Sequence, residues 1–261
     1  ASDVYKRQII TIMIDILRDI VKHTHGLGFL DLVKITGTSN ETTIDSMAED
    51  RSVILQGSFH KPQTEMDGTF GMPQLGKLDI HLKCPEYKEK AKITVLKGTR
   101  NSTEVPTGIH FENEKGDFKN DYRFMNAEII NEKLKTVKFK GVNWDLTVQP
   151  TQQNLKDLSY WAGVMGSVES TFVAKTDKGS LKFYIGDGSN DRVEIPFAEN
   201  VNAELKKGWS WPLAQTLSIL KLSDTSQASI SFSEQGAMKI SIDSGTGVYL
   251  SLIHISEPTR L

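Results

Sequence analysis

Apolar residues recur at helical spacing in four stretches of the chain, and short segments of alternating apolar and polar positions separate them. Ile10 to His23 sets Met13, Ile14, Leu17, Ile20 and Val21 on one side of a helix and Asp15, Arg18, Asp19 and Lys22 on the other, with glycines at 26 and 28 to end it. Leu75, Leu78 and Leu82 predict a shorter helix over Gln74 to Leu82. Behind Pro150 and Thr151, the spacing of Leu155, Leu158, Ala162 and Met165 predicts a third. Leu213, Leu217 and Leu220 predict a fourth, running through Lys221, with Pro212 in a first turn that tolerates proline.

Strands fill the intervals. In the first half they are expected at Phe29 to Thr36, around Thr43 to Asp45, and at Val53 to Ser58, Lys92 to Leu96, Gly108 to Glu112 and Tyr122 to Met125. In the second half, Trp144 to Val148 precedes the third helix. Ser170 to Lys175, Leu181 to Ile185 and Arg192 to Phe197 follow it as a meander between Gly/Asp turns. The pattern repeats after the fourth helix at Ala228 to Ser233, Met238 to Ile242 and Val248 to Leu252. The chain therefore reads as about four helix-plus-sheet units paired into two domains, an α+β organisation. Expected boundaries are 9–130 and 144–252, with a connector over 131–143. A reused unit of this size cannot bury its apolar face alone, so it stacks or closes.

Residues 1–8 (ASDVYKRQ) and 253–261 (IHISEPTRL) do not continue the neighbouring patterns. They resemble translated adapter sequence and are set aside as non-native, which implies a natural chain clipped at its start and short of its last residues.

Composition narrows the function. With 31 Lys+Arg against 33 Asp+Glu and a net charge of -2, a general polyanion coat is excluded, so any nucleic-acid contact must be local. The single cysteine, Cys84, excludes an internal disulfide framework and suits a reducing cytoplasm, which makes the sequons at Asn40 and Asn101 chance matches. No apolar run approaches the roughly 20 residues of a membrane-spanning helix.

From Ile10 to Leu252 the order of elements resembles the DNA sliding clamps, the processivity-factor family that includes proliferating cell nuclear antigen and the clamps of T4-like phages. The likeness is most specific in LKDLSYWAGVMGSVESTFVAKTDKGSLKFYIGDG (155–188), which is similar to the opening of a second clamp domain, and Trp209 to Leu252 resembles its close. GTFGMPQLGKLD (68–79) resembles the second helix of a first domain, and NEKLKTVKFKG (131–141) lies where the family has its interdomain connector. The polar stretch Leu96 to Pro106 departs from the family pattern as an insertion, and the opening strand of the first domain is lost or replaced. The resemblance implies two similar domains, each with two helices on antiparallel sheets, and a homotrimeric ring of six domains. Such a ring encircles duplex DNA in the cytoplasm of a phage-infected bacterial host, tethers the replicative polymerase, takes a clamp loader as a further partner, and needs no cofactor.

In such a ring the helices face the hole. The candidate DNA-contacting residues are then Arg18 and Lys22 on the first helix, Lys77 on the second, Lys156 on the third and Lys221 on the fourth. Contacts that let a ring slide are few, weak and salt-sensitive, and Asp15, Asp19 and Asp157 dilute these faces. The plain alternative is solvated faces of amphipathic helices. In the connector, Leu134, Val137 and Phe139 alternate with Lys135, Lys138 and Lys140, as in an exposed extended strand with one apolar side. By resemblance, polymerase and loader tails dock beside it. An edge strand whose lysines discourage aggregation has the same pattern.

No catalytic constellation stands out. His23-x-His25 lacks a third ligand at supporting spacing, and a cation at a helix end is the simpler reading. The run 186–191 (GDGSND) lacks the terminal glutamate of a calcium loop and falls between two strands. His25 to Gly28 is too short for a phosphate fingerprint, and Cys84 has no patterned histidine partner. Trp144, Trp161, Trp209 and Trp211 suit packing better than base stacking. The competing function is a structural virion or baseplate component built from repeated β units. An enzyme comes third.

Overall fold

A computed structural model describes residues 3–87, 91–100, 102–135, 139, 141–189, 191–222 and 227–254, with side chains from 13 to 253. The chain divides into two compact units, one holding 1–49, 55–137 and 245–248, the other 50–54, 138–244 and 249–261. No described helix is long and apolar enough to cross a membrane.

The first unit runs α1 (Asp3–His23), β1 (Leu32–Gly37), β2 (Thr42–Met47), β3 (Val53–Phe59), β4 (Gly68–Pro73), α2 (Leu75–Lys83), β5 (Lys92–Arg100), β6 (Thr103–Glu112), β7 (Lys119–Arg123) and α3 (Ala127–Lys133). Strands β4-β1-β2-β3 lie side by side in one sheet, and β5-β6-β7 form another. Strict alternation of buried and half-buried positions in β1 and β2 follows from antiparallel pairing with one covered face. α1 packs on α2 and β5 through Met13, Ile16, Leu17, Ile20 and Val21. Ile16 takes the core place expected of Ile14, which is half-buried.

Several expectations change here. The α1 backbone begins at Asp3, ahead of Ile10 and within the octapeptide set aside as non-native. Gly68 to Pro73, read with the second helix, is instead strand β4, and the helix starts at Leu75 after Gln74 in a left-handed conformation. The insertion Leu96 to Pro106 is no loose loop: β5 and β6 pair from Lys92↔Glu112 out to Arg100↔Thr103, with a bulge at Leu96/Lys97. A fifth helix, α3, was not foreseen at all. It takes in Asn131 to Lys133, and Leu134 and Lys135 form a turn, so the connector does not open as an extended strand.

The second unit runs β8 (Leu146–Val148), α4 (Gln152–Met165), β9 (Thr171–Asp177), β10 (Ser180–Ile185), β11 (Val193–Ala198), β12 (Ser210–Pro212), α5 (Leu213–Leu220), β13 (Ala228–Ser233), β14 (Ala237–Asp243) and β15 (Gly247–His254). Its sheets have the orders β11-β10-β9-β12 and β15-β14-β13-β8. α4 starts at a capping box in which Thr151 and Asn154 satisfy each other's backbone, and α4 packs on α5. Between the layers, Phe183 stacks on Phe197 at 4.0 Å and meets Phe172 and Phe232, with Trp211 closing the cluster. Pro212 stands just before α5 as its cap, one step earlier than expected. β15 continues through Ile253, which is fully buried, to His254, so the strand enters the segment read as non-native; 255–261 lie outside the described residues.

Candidate nucleic-acid interface and docking segment

Each unit carries a pair of packed helices, and all five basic residues singled out on them are exposed. On α1, Asp15, Arg18 and Lys22 follow one another along the outer face, because their apolar neighbours are drawn into the core. The ends of α1 and α2 enclose a groove of about 320 Å³ lined by Arg18, Lys22, His25, Asp79 and Lys83. Arg18 and Lys22 are thus brought together with His25, which the sequence offered only as a helix-end cation, and with Lys83, which the sequence reading missed, whereas Lys77 stands apart from that groove. Four basic side chains face one carboxylate there. Asp79 binds the Lys83 ammonium at 2.6 Å, and His25 lies 3.2 Å from Asp31, outside the lining. A basic concavity at helix ends suits a phosphate oxygen, with Asp79 moderating its strength.

On α4, Lys156 heads a different kind of face. Tyr160 (65% exposed) and Val164 (51%) follow at four-residue steps, and Val168 (83%) stands in the turn beyond the helix, so large apolar groups are left in solvent. Tyr160 meets Trp161 edge-on at 5.3 Å, and Asp157 is engaged by the Gln153 amide at 2.7 Å. Lys221 caps the end of α5, its N–H donating to the Leu217 carbonyl.

The docking segment has two described members. Leu134 is half-buried in the turn after α3, and Phe139 stacks nearly parallel on Trp144 at 6.0 Å, with the Lys239 ammonium 4.7 Å from the Trp144 ring centre. Val137, Lys138 and Lys140 lie outside the described residues. α3 is fixed by a close approach: Gly71 pairs with Met125 through two backbone hydrogen bonds, and Ile130 covers Gly71 so tightly that a Cβ there would meet its side chain at 2.9 Å. Asn126 caps the helix by accepting from the Ile129 N–H.

The remaining motifs resolve into structure. His23 is buried, its Nδ1 donating to the Asp19 carbonyl, and it does not face outward with His25. Asp187 accepts from the Ser189 N–H and hydroxyl, so its carboxylate organises its own turn between β10 and β11. Trp211 is core, and Trp209 donates from Nε1 to the Glu234 carbonyl at 3.0 Å. Among the described residues, no group of three or more His, Cys, Asp and Glu could hold a metal.

No protein-family model matches the chain, and no curated protein matches it. Solved structures do. The PCNA of Thermococcus kodakaraensis matches with a TM-score of 0.61 at 15% identity, over 87% of this chain and 91% of that one. The A. fulgidus PCNA, solved with the C-terminal region of FEN-1 bound, matches with a TM-score of 0.64 at 8% identity, over 93% and 95%. The chain has the α+β fold of these sliding clamps.

Proposed function

We propose that this chain is the subunit of a DNA sliding clamp that encircles duplex DNA and tethers a replicative polymerase. The observation that carries the reading is the pairing of that fold, matched along nearly the whole of both chains, with exposed cations on the helix pair of each unit. An encircling protein holds DNA by topology and needs only weak phosphate contacts, so a net charge of -2 is compatible with the role. Arg18, Lys22, Lys77, Lys156 and Lys221 supply those contacts, and the groove at the ends of α1 and α2 adds Lys83 and His25. Tethering is a mechanical task and calls for no catalytic group.

Closure requires self-association. Strands β7 and β11 each end a sheet within their own unit, and Pro196 inside β11 suits an edge because proline cannot donate to a further ladder. A head-to-tail contact repeated three times closes a ring, which makes the assembly a homotrimer. Polymerase and clamp-loader tails dock beside Leu134, Val137 and Phe139. The A. fulgidus PCNA, which holds the C-terminal region of FEN-1, supports this mode of partner capture. The T4-like likeness of the sequence supports a role in the cytoplasm of a phage-infected bacterium.

Two measurements test the reading. Size-exclusion chromatography with light scattering is expected to give a discrete particle of three times the chain mass; a monomer, or an open-ended polymer of the kind a virion component forms, counts against the ring. Replacing Lys22, Lys77, Lys156 and Lys221 together by Glu is expected to abolish loading on circular primed DNA. Undiminished loading would show that the helices do not face the duplex.

A further inference from the structure

The first unit holds a second concavity, a groove of about 470 Å³ that shares no lining residue with the one at the basic helix ends. Its apolar floor is Phe70, stacked on Phe124 at 4.4 Å, together with Val105 and Pro106. Arg100 and Arg123 stand exposed at its rim. The walls come from the outer end of the β5–β6 hairpin and from the start of α3, two of the elements by which this chain departs from its sequence-based expectation.

We propose that this groove is a docking site for an extended peptide in which an apolar side chain is flanked by aspartate or glutamate. Three observations select that occupant. The volume and floor suit one large apolar side chain. The two guanidinium groups suit carboxylates on either side of it, since arginine binds a carboxylate through paired N–H donors. Among the described residues Arg123 forms a surface pair with Asp121 at 2.9 Å, with side chains 66% and 36% exposed, and such a pair gives way readily to a competing carboxylate. Glu128 is the acidic group in the lining, so the peptide's own carboxylates lie toward the arginines.

The third observation is backbone geometry. Along β4 the outward-facing positions alternate: the Pro73 carbonyl accepts from the Tyr122 hydroxyl at 2.6 Å, and Gly71 exchanges both hydrogen bonds with Met125. Period-two alternation turns the Thr69 N–H and C=O to that same side. In register, the residue opposite Thr69 would be Ala127, but there the chain has already turned into α3. Thr69 lines the groove, so its backbone offers a strand-like anchor to an extended guest.

The site is independent of the clamp reading and would stand if DNA retention failed. The test uses the full chain and a fluorescein-labelled peptide of sequence Asp-Glu-Leu-Phe-Asp-Glu, read by fluorescence anisotropy at low salt. Binding is expected with a dissociation constant on the order of 100 µM. Arg100→Glu with Arg123→Glu should weaken it at least about tenfold, and Arg100→Gln, which keeps the hairpin's size, about threefold. A peptide with lysine at the four acidic positions should bind at least about tenfold more weakly, and Phe139→Ala, at the separate connector site, should leave the affinity for this peptide unmoved. Circular dichroism checks that each variant is folded. No binding up to about 1 mM, affinity unmoved by the arginine variants, or loss of binding in Phe139→Ala would overturn the proposal.

Discussion

Replacing Gly71 by alanine tests how the start of the connector is held in place. Gly71 lies in β4 without a left-handed backbone, so alanine meets no conformational obstacle. The obstacle is Ile130: the new methyl would stand 2.9 Å from its Cδ1 and Cγ1 and 3.0 Å from its Cβ. Carbon atoms prefer about 3.5–4.0 Å, so the isoleucine must retreat by roughly half an ångström to one ångström at three atoms. Ile130 is fully buried and is the buried anchor of α3, and overpacking of that kind costs about 1–3 kcal/mol. Ile130→Ala alone leaves a void and costs about 2–5 kcal/mol. In the double variant the clashing Cγ1 and Cδ1 are gone and the methyl enters the vacated space. The combined cost should therefore fall short of the sum by about 1–2 kcal/mol. Amide hydrogen exchange reads the local opening directly, at the Leu134 N–H that bonds Ile130 and the Met125 N–H that bonds Gly71. Exchange at Leu134 is expected to rise roughly five- to 150-fold in Gly71→Ala and to be largely insensitive to the alanine once Ile130 is truncated. Additivity within about 0.5 kcal/mol, or unchanged exchange in the single variant, would refute the account of how α3 is seated.

Other outcomes are open to direct measurement. Tyr122→Phe strands the Pro73 carbonyl and should lower the stability of the first unit by about 1–3 kcal/mol in urea denaturation; because burial raises the Tyr122 phenol, its titration should fall above the ordinary tyrosine range. Thr151→Ala removes the α4 cap at a cost of about 1 kcal/mol, which Thr151→Ser should largely restore, as followed by thermal melting. Hydrogen bonds from Lys92 and then Lys119 hold Glu112 down to about 2. A carboxylate depressed on folding stabilises fully above its unfolded value, near 4.3, and loses that contribution as pH falls through about 2, so Glu112→Gln should flatten the melting temperature across that acid window.

The legible parts of this fold are those where periodicity and burial agree. Leu213, Leu217 and Leu220 mark α5 because each is drawn into the core at helical spacing, and the Gly/Asp turns around Leu181 to Ile185 mark a hairpin for equally local reasons. β4 escaped because Gly68, Gly71 and Pro73 break the alternation, and its burial depends on β1 and Ile130, which are distant in sequence. α3 escaped because a seven-residue helix seated by one isoleucine leaves no period to read. The β5–β6 extension looked like an insertion since a projecting hairpin exposes most of its side chains. Arg18 and Lys22 were legible as a face, but Lys83 and His25 join them only through the packing of two helix ends, which no one-dimensional spacing encodes.

In the ring proposed above, the outward face of α4, one ammonium followed by a phenol and a valine, has a kinetic corollary. Phosphates recur every 3.4 Å along a strand, and each fixed cation that meets them adds a ripple to the energy felt by a protein drifting along the helix axis. A surface whose groups beyond Lys156 are indifferent to that repeat offers little for the ripple to grip, so it would lower friction rather than raise affinity. Converting Val164 to lysine would then be expected to tighten equilibrium binding while slowing one-dimensional diffusion, a trade between residence and speed set by a single side chain.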